Sequence, residues 1–466
     1  MINSLIELLN PVFLIYFLVI NSVYLITTLL AFSAIRKYVR RLKTVNIDEL
    51  ISLTGALPIT LIVPAYNEEA TCVESIKSLL MLKYPEYEIL VVNDGSKDNT
   101  LEKLIKAFDL KPVDRVVTSN IKTKKVKNVY RSFKHDNIWV IDKENGGKSD
   151  ALNTGINFCR TPLFCAMDAD SILERDALIR IVRPFLENSA TIAVGGIIRI
   201  ANGCTIKDGI VKEIRMPDNF IAAFQVLEYF RAFLSSRMGW DVLNAMLIVS
   251  GAFGVFRRST VVEAGGYSTN TVGEDMELIV RLHRVCREKK IPYRITFIPD
   301  PVAWTECPSS IATLARQRDR WQRGLIESLI PHQKMLFNPF YGRIGLLAFP
   351  YFYFFEMLGP LIEILGYFLF IVSLALGIAS MPFVIAFFTL TLIFGIAISI
   401  AAVALEEFSI QRYPHFSALI KLFFLAFIEN FGYRQVITYW RFKAIFSALR
   451  RVKEWGDMEK KAFNKV

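Results

Sequence analysis

Residues 8–35 carry no charged side chain, and neither do residues 364–405. A helix rises about 1.5 Å per residue, so each run is long enough to cross the roughly 30 Å hydrocarbon core of a bilayer. The first run lacks the basic front, short apolar core and small-residue cleavage site of a secretory leader, which predicts an N-terminal transmembrane helix over residues 8–35. Arg36, Lys37, Arg40, Arg41 and Lys43 follow at once, whereas only Glu7 precedes the run. This asymmetry predicts an N-terminus outside and a cytoplasmic segment after the span. Pro382 interrupts the second run, which reads as two spans over about 357–378 and 382–405. A third apolar run, 416–440, contains Lys421, Glu429 and Arg434 and is expected to span or to lie in the interface. Residues 340–440 are thus expected to hold the C-terminal membrane helices. The basic tail, 441–466, with Arg450, Arg451, Lys453, Lys460 and Lys461, favours a cytoplasmic end.

Two acids stand out at the start of the C-terminal region. Glu356 and Glu363 are seven apart and so share a helical face, with Gly359-Pro360 predicting a kink between them. An acid in a span usually faces protein or water. Two expectations follow: Glu363 pairs with Arg434 or Lys421, or the face lines a path for a polar molecule.

The 466-residue chain is 53% hydrophobic yet 21% charged, so a large soluble part must accompany the spans. Its net charge of +11 is explained by basic flanks beside membrane segments. No RNP-type, zinc-finger or helix-turn-helix pattern is present, so no nucleic-acid partner is expected. Six cysteines form no CxxC pair and only four histidines occur, which predicts free thiols and no structural zinc.

From Leu57 to Ile330, short apolar runs alternate with helix-length segments. "PITLIVPAY", "YEILVVND", "NIWVID" and "PLFCAMDAD" read as strands, and residues 70–82, 97–108 and 147–159 as helices. The alternation predicts a mostly parallel sheet with helices on both faces, binding its ligand beyond the carboxyl ends of the strands. Glu68, Glu69, Asp94, Asp168 and Asp170 fall at those ends. Crowded carboxylates repel unless cations or protons sit among them.

In "MDADS", Asp168 and Asp170 sit two apart at a strand end, so both can face one side. They can share one hard cation, Mg2+ or Mn2+, that also holds phosphates, or they can be acids of a surface loop. Pro64, Tyr66 and Glu68 of "VPAYNEE" also stand at a strand end, where Tyr66 offers a ring for stacking. Asp94 can accept the imide N–H of a uracil, or it can close an Asx-turn or cap the next helix. "ENGGKSDALNTG" puts glycines and Lys148 at a helix start, a phosphate-friendly arrangement without the full spacing of a P-loop.

The order VPAYNEE, NDGS, GGKSDALN, DAD, SGAFGVFRRS, GED and QRDRW resembles the processive family 2 glycosyltransferases with a GT-A catalytic domain. Cellulose, chitin, hyaluronan and poly-N-acetylglucosamine synthases share that plan. The resemblance covers residues 57–330 and implies a cytoplasmic α/β GT-A domain flanked by transmembrane helices in the cell membrane. It implies a UDP-sugar donor of the UDP-N-acetylglucosamine or UDP-glucose type, a glycan or glycolipid acceptor, and Mg2+ or Mn2+. Accessory subunits are compatible with it. Pro64, Tyr66, Glu68, Asp94, Lys148 and Asp168 then belong to the nucleotide-sugar site, with Asp94 on the uracil. Asp168 and Asp170 form the metal motif, Asp170 being the nearer ligand, and Asp275 is the general base. Gln317, Arg318, Arg320 and Trp321 form the Q(Q/R)xRW signature.

Two positions depart from the pattern: Asn93 stands where many members have an acid, and Gly273 where several have threonine. No cyclic-dinucleotide-binding module is expected after the last span, a layout like that of the poly-N-acetylglucosamine or hyaluronan type. Arg318 and Arg320 are two apart and would diverge by about 200° on a helix, so a loop or irregular turn is expected to aim both at a diphosphate. Trp321 is then placed to stack on a sugar, while Arg316 and Arg323 are expected to touch lipid phosphates. Of the adjacent acids Glu274 and Asp275, Glu274 is expected to face away. The alternatives are a non-processive enzyme with a lipid acceptor and a non-catalytic sugar-binding subunit. The second requires a broken carboxylate or arginine in the motifs, and none is broken.

Asp170→Ala is expected to abolish sugar transfer while leaving the protein folded. Activity that persists in excess chelator would remove the metal from this account.

Overall fold

The structure, a computed structural model, describes residues 2–42, 55–207, 209–409 and 416–450. Residues 451–466, most of the basic tail, and Lys43 lie outside the described residues. The chain divides into two units. Among the described residues, one comprises those within 2–38, 218–245 and 308–450, the other those within 39–217 and 246–307.

The second unit holds all the described strands. In chain order these are β1 (Ile59–Ala65), β2 (Tyr87–Asn93), β3 (Leu110–Pro112), β4 (Val126–Ser132), β5 (Ile138–Lys143), β6 (Leu163–Met167), β7 (Ile172–Leu173), β8 (Thr191–Ile200), β9 (Thr205–Lys207), β10 (Ile210–Glu213), β11 (Phe253–Arg257) and β12 (Arg294–Thr305). Ten form one mixed sheet in the order β3-β4-β5-β2-β1-β6-β11-β8-β12-β7, and β9 and β10 form a separate hairpin. The four strands read from sequence, β5-β2-β1-β6, are its parallel centre. Runs such as Leu61–Val63 and Ile89–Val92 are buried, as strands covered on both faces must be. β11 inserts antiparallel between β6 and β8, a pairing that no local pattern around residues 253–257 announces.

Register sets the rim. Ala65 pairs with Asn93 and Asn93 with Asp142, so three strands end level. An amide-to-carboxylate bond from Asn93 Nδ2 to Asp142 Oδ1, 2.8 Å, ties two of the ends. Two helices start later than expected, because local hydrogen bonds, backbone in the first case and side-chain in the second, organise the turns before them. The first runs Cys72–Leu79, after the Glu68 carbonyl accepts the N–H groups of Thr71 (3.1 Å) and Cys72 (2.9 Å). The next runs Thr100–Phe108, where Asp98 Oδ1 accepts the Thr100 N–H at 3.1 Å. The third, Lys148–Phe158, fits its predicted span and lies against β1 at Gly155. All six cysteines are free thiols.

The first unit is helical among its described residues. Ile6–Arg41 and Met381–Ser409 are each long and apolar enough to cross a membrane. Two bent pairs, each taken as one segment, are also long and apolar enough to cross: Ile344–Met357 with Gly359–Ala375, bent by 49°, and Phe416–Ile428 with Tyr433–Leu449, bent by 59°. The first bend falls at the predicted Gly359-Pro360. At the second, Gly432 takes a positive φ of 108°, open to glycine at little cost. An aromatic cluster of Phe17, Phe370 and Phe387 joins the N-terminal helix to the later ones, Phe370 and Phe387 stacking at 3.9 Å.

The charges that interrupt the apolar runs find partners inside this unit. Glu429 is fully buried, pairs with Arg231 and with Arg434 (3.4 Å), and accepts the Ser399 hydroxyl at 2.6 Å. Glu356 pairs with Arg441 at 3.1 Å and accepts the hydroxyls of Tyr24 and Tyr351. Glu363 accepts the Thr438 hydroxyl at 3.0 Å. The expected Glu363–Arg434 pair does not form, because Glu429 lies five residues before Arg434 and takes it instead.

Gly155 offers a test of the packing. A methyl group there would overlap Ile62 Cγ2. Gly155→Ala is expected to destabilise the protein by about 1–3 kcal/mol, seen as a lower apparent Tm. An unchanged or higher Tm would show that the helix and β1 part easily.

Candidate active site

Asp94 follows β2 and is buried. Its carboxylate accepts the backbone N–H of Gly146 on Oδ1 (3.0 Å) and of Gly147 on Oδ2 (2.7 Å). Oδ1 also meets the Lys143 ammonium at 2.6 Å. Lys143 ends β5 with no exposed surface and reaches Asp150 at 2.7 Å and the Glu144 carbonyl at 2.6 Å as well. Asp94 therefore neither closes an Asx-turn nor caps the Thr100 helix. It anchors the Gly146-Gly147 loop that opens the next helix.

Lys148 begins that helix and points at a second group of acids. Its Nζ lies 2.6 Å from Asp168 Oδ1, just past β6, and 3.3 Å from Glu274 Oε1. Burial works against its charge, but Asp168 and Glu274, with Asp275 beyond them, hold the ammonium pKa above the ordinary lysine value. Glu274 and Asp275 open the helix Glu274–Glu288, whose N-terminal dipole favours anions. Asp275 Oδ2 accepts the Gly251 N–H at 2.9 Å and Oδ1 the Met276 N–H at 2.8 Å. A side chain at Gly251 would begin 3.1 Å from Lys148 Nζ and 3.3 Å from Asp275 Oδ2, so glycine lets the backbone pass between them. Glu274 does not face away, as expected from sequence: it is buried and turned onto Lys148.

Tyr66 is 43% exposed, its ring open for stacking. Pro64 is half-buried within β1, opposite Val92. Glu68 is buried and accepts the Thr71 hydroxyl at 3.0 Å, which gives it a local structural task. Asn67 and Lys97 join the two loops at this rim, the Lys97 N–H donating to Asn67 Oδ1 at 2.8 Å. The structure thus groups Asp168, Lys148 and Asp275, and sets Asp94 in a neighbouring network built on Lys143. Lys143 and Asp150 escaped sequence reasoning, and Glu274 was assigned the wrong direction. The available signal was a lysine ending a strand whose other members are apolar or paired.

Gln317, Arg318, Arg320 and Trp321 belong to the other unit. They lie on one continuous helix, Ile311–Leu329, and not on the expected loop. Gln317 and Arg318 are buried, Arg320 is half-buried and Trp321 is 39% exposed. Arg318 donates to Glu228 at 2.5 Å and lies over the Trp321 ring, 4.3 Å from its centre. Arg316 is exposed, but Arg323 is buried and pairs with Asp319 at 2.8 Å, which removes it from lipid contact.

Among the described residues, no group of three His, Cys, Asp or Glu side chains is placed to hold a metal ion. The Asp168–Asp170 pair nonetheless suits Mg2+ or Mn2+ in its chemistry. Such ions commonly take one or two carboxylates and complete their shell with water and substrate phosphates.

The sheet and its rim define a GT-A type transferase fold. The chain belongs to the family 2 glycosyltransferases: the model of Glycosyl transferase family group 2 matches residues 163–404, just over half of the chain, and that of Glycosyl transferase family 2 matches residues 60–259. It is 28% identical over 320 residues to the poly-beta-1,6-N-acetyl-D-glucosamine synthase of Staphylococcus aureus (strain COL), covering 69% of this chain and 65% of the relative. The corresponding synthase of Staphylococcus epidermidis is 29% identical over 272 residues, covering 58% of this chain and 55% of that one. The chain thus spans less than two thirds of these relatives' length. In fold it is similar to a mannosyltransferase from Pyrobaculum calidifontis in complex with GDP-Man and Mn2+, at 18% identity and a TM-score of 0.50, covering 89% of this chain and 99% of that one.

Lys148 carries the charge balance of the group. Its raised pKa means that its stabilising charge is present throughout the neutral range and is lost only as pH rises through a value above the usual 10.5. Lys148→Met leaves Asp168 and Glu274 without that cation and is expected to cost about 1–3 kcal/mol near pH 8. The loss should be the same at pH 6.5, since both values lie well below the raised lysine pKa. Thermal unfolding at the two pH values checks this, and a loss that differs clearly between them would contradict it.

Proposed function

We propose that this chain is a membrane-bound inverting glycosyltransferase that adds N-acetylglucosamine from UDP-N-acetylglucosamine to a growing polysaccharide. The observation that carries the reading is the placing of Asp275 beside Lys148 and Asp168, in a chain similar to poly-N-acetylglucosamine synthases. A base for the acceptor and a cation for the leaving group then stand together.

In this mechanism the donor diphosphate lies at the start of the Lys148–Phe158 helix, where backbone N–H groups and Lys148 favour anions. Asp94 holds the loop before that helix and faces the nucleobase, with Tyr66 available to stack on it. Asp275 takes the proton of the acceptor hydroxyl as that oxygen attacks the anomeric carbon from the face opposite UDP. The new C–O bond forms as the bond to the diphosphate breaks, so the sugar's configuration inverts and UDP departs with the electron pair. General base catalysis of this kind contributes about 10²–10⁴-fold. Lys148 stabilises charge growing on the diphosphate. Asp168 and Asp170 would hold Mg2+ or Mn2+, which when bound supplies further neutralisation of the phosphates.

The roles of the QRDRW residues rest on family resemblance. We assign Trp321 to the acceptor sugar and Arg320 to the diphosphate. Arg318, held by Glu228, fixes the Trp321 ring. The N-terminus is assigned to the outside and the catalytic unit to the cytoplasm, from Arg36, Lys37, Arg40 and Arg41 at the inner end of the first helix.

Asp275→Asn is expected to lower transfer by about 10²-fold or more while UDP affinity, measured by calorimetry, stays near that of the unaltered protein. A large loss of UDP binding would make Asp275 a nucleotide ligand and leave the base unassigned.

A further inference from the structure

We propose that Lys143 is a positioning residue for the nucleotide-sugar site, acting through Asp94 and the Gly146-Gly147 loop. The inference rests on the proposed function and adds a residue outside the motifs by which the chain resembles its family. Lys143 is fully buried, and an isolated buried ammonium is costly. Its ammonium donates to Asp94 Oδ1 (2.6 Å) and to the Glu144 carbonyl (2.6 Å), and it forms an ion pair with Asp150 Oδ1 at 2.7 Å.

The two carboxylates it joins have further work. Asp94 accepts the N–H groups of Gly146 and Gly147. Asp150, in the first turn of the Lys148–Phe158 helix, accepts the Lys124 N–H on both oxygens at 3.2 and 3.1 Å. One cation thus ties the end of β2, the loop 144–147 and the start of the helix that carries Lys148. The packing admits no slack: a side chain at Gly146 would begin 2.6 Å from the Asp150 carboxyl carbon. Without Lys143, Asp94 and Asp150 would be left as two like charges with no cation between them. The cheapest relief is to swing the loop outward, moving the Asp94 carboxylate and the helix start that receive the donor.

The role differs from general stabilisation in what it predicts. In the purified full-length protein, Lys143→Met should weaken UDP binding and raise the donor KM by about ten-fold, equivalent to about 1.4 kcal/mol. The kcat at saturating donor should stay within about three-fold, because Asp275 is untouched. Amide hydrogen exchange at Gly146 and Gly147 should speed up. Adding Asp150→Asn removes the surplus charge while keeping an acceptor for Lys124, and should return both UDP affinity and exchange toward those of the unaltered protein.

Unchanged affinity and exchange in Lys143→Met would overturn the proposal, as would a double variant as impaired as the single. If the single variant does not fold, the double variant decides alone: near-normal UDP affinity supports the proposal, and lost affinity overturns it. Failure of the unaltered protein to bind UDP would instead sink the proposed function, while the exchange measurement still reports on the loop.

Discussion

Carboxylates gathered at one rim of a sheet repel, and this fold answers with two lysines. Lys143 lies between Asp94 and Asp150, and Lys148 between Asp168 and Glu274. The first is sealed in the interior and fixes a loop. The second is partly open and is available to an incoming anion. A binding site for a diphosphate needs both properties: a backbone held in place before the ligand arrives, and a cation whose present partners can yield it. The level ends of β1, β2 and β5 make the arrangement possible, because they bring Asp94 and Lys143 to the same height.

The helical unit solves a different electrostatic problem with similar means. Its apolar segments carry Glu356, Glu363 and Glu429, each costly in hydrocarbon. Each has a partner in the protein: Arg441 with two tyrosines, Thr438, and the Arg231–Ser399–Arg434 group. These contacts cross between segments far apart in sequence, so they fix which helices are neighbours in a region where apolar packing is weakly selective. The Glu228 that holds Arg318 also accepts the Tyr433 hydroxyl at 3.1 Å. The signature helix is thereby joined to the last bent pair by one carboxylate.

Much of this was legible in sequence where local rules act. Apolar runs bounded by turn residues marked the four central strands, and the uncharged stretches marked helices long and apolar enough to cross a membrane. The DAD, GGK and GED motifs marked Lys148, Asp168 and Asp275, which the structure brings together. What sequence did not show depends on contacts distant along the chain. Nothing near β11 indicates that it pairs antiparallel with β6, and nothing near Lys143 reveals two acids waiting for it. The expected loop at Arg318 and Arg320 followed from requiring both to act on one ligand. Arg318 instead has Glu228, 90 residues earlier, as its partner, so a regular helix meets no conflict.

The activity we propose is transfer of N-acetylglucosamine from UDP to a growing chain. Its most direct test is incubation of the purified full-length protein in lipid nanodiscs with radiolabelled UDP-N-acetylglucosamine, in a panel with other UDP-sugars, followed by sizing of the product. The expected result is release of UDP together with labelled polymer, formed from UDP-N-acetylglucosamine in preference to the rest of the panel. Label confined to a single sugar on lipid, or polymer made only from another UDP-sugar, would contradict it.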